Sequence, residues 1–245
     1  MIRREPHQSR KIPFRVGLVL DEPASAEARR EVREALELCF SDATEAKRLD
    51  RPVELVVSEV TGGGAALAAW RDLVAAGAEI VLGPHGDEAA LAVAEAMRTT
   101  PRPTISACET SRFSSDFGVT LGPRDAARDA RLAARELGVE LAEERVPGAA
   151  DEPNPTALAF FARFGRTPTH AGDVLIARDA AEIVIQALAT AKPHNAEGIR
   201  LALDRIRFVP AAFGPADALI SIGPFDHRAY KIYKIGDVAP LLPLS

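Results

Sequence analysis

Residues 14–20 carry Val16, Leu18, Val19 and Leu20 in a short apolar run that ends at Asp21-Glu22-Pro23. A run of this length closed by turn residues predicts a buried strand. From 26 to 44 the period changes: Val32, Leu36, Cys39 and Phe40 recur at three and four, and Arg and Glu fill the other faces, which predicts an amphipathic helix. A second strand follows over 52–60, and Thr61-Gly62-Gly63-Gly64 turns the chain into a helix over 65–76 with Gly77 as its C-cap. Then come a strand over 78–82, the turn Gly83-Pro84-His85-Gly86, a helix over 87–98, strands over 103–107 and 118–121, and a helix over 125–137. Strand and helix alternating through short turns call for a parallel sheet covered on both faces, a three-layer α/β/α arrangement.

The pattern changes after 146. Residues 147–155 hold three prolines in a stretch too polar to pack, the mark of a surface connector. Helices are expected over 156–164, 170–190 and 196–206, with Pro193 separating the last two. Segments 218–222 and 230–235 alternate like the two strands of a hairpin-like pair around Gly223-Pro224-Phe225-Asp226. The expected division is an N-terminal tail over 1–13, an α/β lobe over 14–146, the connector over 147–155, and returning helices and terminal strands over 156–245 packing on the same lobe.

The order of these segments resembles the type I periplasmic binding proteins, in particular the branched-chain amino acid and amide receptors of ABC transporters. Phe14-Arg15-Val16-Gly17-Leu18-Val19 is similar to the opening strand of that family, and Val57-Ser58-Glu59 to a second strand ending in an acid. Leu73-Val74-Ala75-Ala76-Gly77-Ala78-Glu79-Ile80-Val81-Leu82-Gly83-Pro84 resembles its strand ending in Gly-Pro. Thr104-Ile105-Ser106 and Glu109-Thr110-Ser111 resemble the next strand and its ligand-facing turn. Phe160 to Pro168 and Arg178-Asp179-Ala180 resemble the returning helices, with Arg178 where the family usually has Tyr; 199–203 and 225–235 resemble the closing segments.

The resemblance implies a Rossmann-like lobe and a non-enzymatic receptor for an amino acid-like or amide-like ligand, in uptake or sensing, working with a membrane transporter or a regulatory protein. It also exposes a departure. In the family the chain builds a second α/β lobe before returning; here 141–155 stands in its place, far short of the roughly 100 residues of a common domain. One lobe plus returning helices is therefore expected. A single lobe covers a ligand from one side, so binding is weak, or a second copy or another protein closes the site, or the fold serves as a ligand-free interaction module.

Composition narrows the partners. The 245 residues carry 30 Lys plus Arg against 35 Asp plus Glu, a net charge of −5, which argues against nucleic acid or an anionic membrane surface. With 47% apolar and 27% charged residues the chain has the balance of a globular protein, and no run approaches the roughly 18 to 20 apolar residues of a membrane span. The basic start lacks the continuous apolar stretch of a secretory signal. A periplasmic location is expected if a leader has been removed, and a cytoplasmic one otherwise. Cys39 and Cys108 form neither a disulfide framework nor a zinc motif.

Ligands of open α/β sheets sit outside the carboxyl ends of the strands, where helix N-termini present free N–H groups. That singles out His85, Gly86 and Asp87 after the third strand, and Ser106, Cys108, Glu109 and Thr110 at the fourth, as ligand-binding candidates. The resemblance places Asp87 where amino acid receptors hold a hydroxyl for the ligand carboxylate, and Thr110 at a second hydroxyl. Asp87, with Glu88 and Glu109, would repel an anion and favour an amide, an amine or a neutral polar ligand; Asp87 also reads as the N-cap of its helix. A Cys108/His85 nucleophile pair is the enzymatic alternative, set against the usual role of a free Cys as a small buried hydrophobe. No metal spacing and no cofactor motif is present: Gly62-Gly63-Gly64 lacks the Lys-Ser/Thr of a phosphate loop. His7, His170, His194 and His227 are scattered and read as surface residues, and Trp70, Tyr230 and Tyr233 as packing. Arg178 reads as a solvated helix charge or a partner of Asp179. The very apolar helix over 171–190 is expected to leave surface uncovered by the missing lobe, which points to a homodimer or a partner complex.

Overall fold

The computed structural model describes residues 12–21, 24–61, 63–108, 111–121, 141–143, 153–214, 219–222 and 234–235. The predicted helix over 125–137, most of the connector, the tail up to 11, and Gly62, Glu109, Thr110, His7, His227, Tyr230 and Tyr233 lie outside them.

Five parallel strands form the central sheet: β1 (Phe14–Leu20), β2 (Val53–Glu59), β3 (Ile80–Leu82), β4 (Thr104–Ser106) and β5 (Gly118–Thr120), in the order β2-β1-β3-β4-β5. β1 pairs with β2 from Phe14 opposite Val53 to Leu20 opposite Glu59, and on its other edge Leu18 lies opposite Leu82 of β3. Between the strands run α1 (Ala26–Glu45), α2 (Gly63–Ala75) and α3 (Asp87–Met97). Gly77, at φ +88, closes α2: its N–H reaches Val74 O and that of Ala78 reaches Leu73 O, which satisfies two terminal carbonyls.

The period-two alternation of β1 divides the core. Phe14, Val16, Leu18 and Leu20 join the larger apolar cluster on one face of the sheet. Val19 joins Trp70, Leu73, Val81 and Val93 on the other, under α2 and α3. Trp70 is core, its indole N–H donating to Thr104 Oγ1 at 3.0 Å.

The larger face is covered by α1 together with α4 (Pro155–Phe164), α5 (Ala171–Thr190) and α6 (Ala196–Leu203). Asn154 caps α4 ahead of a proline at the first helical position, and Asn195 caps α6. α5 packs against α1 and α6, burying Val174, Leu175, Ile183, Val184, Ile185 and Leu188. The expectation that α5 leaves an apolar face uncovered is therefore corrected: α1 and α6 cover it. Arg178 is tied down, with Nη1 2.9 Å from Asp179 Oδ1 and 3.1 Å from Pro210 O. Asp179 is fully buried and also accepts the N–H groups of Ala212 and Phe213, which fastens α5 to the chain beyond α6.

Among the described residues the two terminal strands pair with other partners than each other. β7 (Val209–Pro210) and β8 (Leu219–Ile220) are antiparallel partners, and β6 (Leu141–Glu143) pairs antiparallel with β9 (Lys234–Ile235). Two-residue strands carry too little alternation to specify a partner. Here the return of the chain after α6 decides the pairing, with Ile222 N–H bonded to Ile206 O.

Candidate functional site

The strand order places a topological switch point between β1 and β3. The connection from β1 leads to β2 on one side and that from β3 to β4 on the other, so the loops after these two strands part and leave a crevice at their carboxyl ends. A cleft of about 370 Å³ occupies that position. Leu20 at the end of β1, Asp21 after it, His85 after β3 and Ala107 after β4 form one side of it. The first turns of α1 and α5 form the other, through Ser25, Ala28, His170, Asp173 and Ile176. A small separate hollow lined by Leu18, Leu82, Ile105 and Leu121 adjoins it, sharing Val32, His85, Ala107 and Ile176 with the cleft.

Asp21 organises the first wall. It is only 3% exposed, and its carboxylate accepts the backbone N–H of His85 at 2.8 Å and of Gly86 at 3.0 Å, with His85 Nδ1 3.4 Å away. Burial pushes its pKa up, but the ring of His85 and the two amides outweigh burial and hold the carboxyl below the usual value of 3.8. Gly83 permits the turn: its φ is +84, and a Cβ there would lie 2.3 Å from Val19 O.

The same geometry corrects the reading of Asp87. Gly86 holds the N-cap position of α3, with extended backbone and no side-chain cap, and Asp87 is the first helical residue. The acceptor for the loop comes instead from Asp21, 64 residues earlier in the chain.

On the second wall two helix N-termini meet. Ser25 Oγ accepts the N–H of Ala28 at 3.0 Å, capping α1, and lies 3.2 Å from His170 Nε2. Glu31, buried in α1, accepts the N–H groups of Thr169 at 3.1 Å and His170 at 2.9 Å ahead of α5, with Arg166 Nη1 3.3 Å away. Burial raises the pKa of Glu31, but these donors and the Arg166 charge bring it below the usual value. Arg29 sits at the edge of the cleft with Nε 3.7 Å from Glu59.

Of the candidates from sequence, His85 lines the cleft and Gly86 and Asp87 adjoin it. Ser106 is buried; its hydroxyl donates to Pro84 O and accepts Cys108 N–H at 3.1 Å, so it joins the loops after β3 and β4. Cys108 is 0% exposed and packs with Val19, Val93 and Phe113 on the far face, while Ala107 is the residue that reaches the cleft. That burial removes the access a Cys108 nucleophile needs. Burial also pushes the other thiol, Cys39, up to about 12. Glu109 and Thr110 lie outside the described residues.

Sequence reasoning missed Asp21, Ser25, His170 and Asp173. Ser25, a serine just before an apolar-periodic segment, carries a cap signal. Asp21 read only as a strand terminator. His170, read only as a surface residue, stands between the two helix starts. Among the described residues no cluster of three metal-binding side chains occurs, and no helix is long and apolar enough to cross a membrane.

No protein-family model matches the sequence, and no curated protein matches it either. Solved structures do match. A protein of Rhodopirellula baltica described as a possible leucine/isoleucine/valine-binding protein superposes with a TM-score of 0.71 at 10% identity, covering 94% of this chain and 95% of that one. An ABC transporter substrate-binding protein of Desulfitobacterium hafniense in complex with Leu gives 0.69 at 11%, covering 91% and 96%. The branched-chain amino acid transporter substrate-binding protein LivJ of Streptococcus pneumoniae in complex with isoleucine gives 0.62 at 13%, covering 89% and 94%. The five-stranded parallel sheet with helices on both faces thus matches the fold of these binding proteins.

Proposed function

We propose that this protein is a non-enzymatic receptor that holds a small amino acid-like or amide-like ligand in the cleft between the loops after β1, β3 and β4 and the first turn of α5, and presents it to an ABC transporter or a sensing partner in the periplasm. The observation that carries this reading is the place of the cleft: the largely apolar hollow bounded by Asp21, His85 and His170 lies at the switch point where open α/β sheets bind their ligands. The structural neighbours that hold leucine or isoleucine support the ligand size.

On this reading the contacts fall on Asp21, Ser25, His85, His170 and Asp173, with Gly86 and Ser106 holding the loops. We further propose that the protein is one lobe over 14–146 with the residues beyond 155 returning to it, so the ligand rests on a single wall.

The test is a thermal-shift screen against branched-chain amino acids, their amides and related small polar molecules. Binding to the native state alone raises the Tm by mass action. The expected result is a hit whose shift shrinks in His170→Ala and His85→Ala. A blank screen at millimolar ligand in a well-folded protein would favour the ligand-free interaction module.

A further inference from the structure

The cleft is arranged against the anionic end of an amino acid. His85 and Gly86 present two adjacent N–H groups ahead of α3, the paired donors that elsewhere receive a carboxylate. Both are held by the protein's own Asp21 at 2.8 and 3.0 Å, and that carboxylate is nearly inaccessible and kept ionised by its donors. An entering carboxylate would meet a fixed negative charge in place of the two donors. From the opposite wall the exposed Asp173, in the first turn of α5, lines the same hollow. Among the described residues it forms no ion pair. The other charged side chain at the cleft, Arg29, has its Nε 3.7 Å from Glu59 at the end of β2, within ion-pair reach but beyond hydrogen-bond distance. The two histidines do not restore an anion site: His85 faces Asp21 and His170 faces Ser25.

Resting on the reading of this cleft as the ligand site, we propose that it selects a ligand by a cationic group, an amine or guanidinium whose carboxylate is absent or masked as an amide, with Asp173 as the ionic contact and Asp21 as the internal charge that excludes carboxylates. Asp21 thus takes the place that sequence alone assigned to Asp87.

Three probes with one hydrocarbon frame separate the charges: leucinamide, leucine and 4-methylpentanoate, each titrated by thermal shift and by the backbone amide resonances of His85 and Gly86. Diamines and guanidines, with dicarboxylates of matching length, extend the panel. The expected result is a Tm increase with leucinamide or another amine, none with 4-methylpentanoate or the dicarboxylates, and leucine no better than its amide. Asp173→Asn should weaken the amine roughly tenfold with little change in the unliganded Tm, because Asp173 is exposed. Asp21→Ser, which frees the two amides, should bring in carboxylate binding; if that variant does not fold, the Asp173 variant still decides. Carboxylates binding the wild-type protein as tightly as amines, with the His85 and Gly86 resonances shifting, would overturn this inference and leave the receptor reading standing. Silence from every probe, zwitterions and amides included, would overturn the receptor reading and this inference with it.

Discussion

Asp21 shows how one side chain can set both the geometry and the charge of a site. Its folded pKa lies below the usual value, so the unfolded chain binds the proton more readily in acid. The stabilisation is therefore complete above the usual value of 3.8 and is lost as pH falls through the lower folded value. Asp21→Asn places an amide opposite one of the two N–H donors and should destabilise by about 2 kcal/mol near neutral pH. The gap to wild type in urea unfolding should narrow as pH drops through that window; a constant gap would mean that the carboxylate charge is not what holds the loop. Nothing local in the sequence announces this role. An acid after a strand reads as a terminator, and its partners 64 and 65 residues away become visible only when β3 is laid beside β1.

Elements were legible where the apolar pattern is long, and illegible where the partner decides. β1, α1 and α5 fall within a residue of their predicted bounds because seven or twenty residues carry an unambiguous period. The pairing of β8 with β7 was not readable, since two residues fit either face of several strands. Caps show the same division. Asn195 does what its type predicts, accepting Gly198 N–H at the start of α6. Asn154 caps α4 in the same way but is buried and also donates Nδ2 to Ala211 O and Gly214 O, contacts that no local rule supplies. Aspartate is as good an N-cap as asparagine, so Asn195→Asp should change stability by less than about 0.5 kcal/mol. Asn154→Asp turns two donated bonds into carboxylate–carbonyl repulsion in a buried place and should destabilise by about 3 kcal/mol. Chemical denaturation of the two variants side by side checks the contrast, and equal losses would show that the Ala211 and Gly214 bonds contribute nothing beyond the cap.

At the scale of the molecule, the sheet is covered on both faces by its own helices, so the reason for self-association moves from α5 to the cleft. The apolar residues of α5 are enclosed by α1 and α6, and a dimer held together by that helix is not needed. On the proposed reading, the described residues of the cleft hold the ligand only from the sheet ends and two helix starts. If a second copy provides further cover, ligand and self-association are linked: each must strengthen the other by the same factor. Sedimentation velocity with and without saturating ligand tests this directly. The expected outcome is a ligand-dependent shift toward dimer and an apparent Kd that falls as protein concentration rises. A monomer in both states, with a Kd independent of protein concentration, would mean that one lobe binds alone, and the affinity would then be limited to what a single wall can supply.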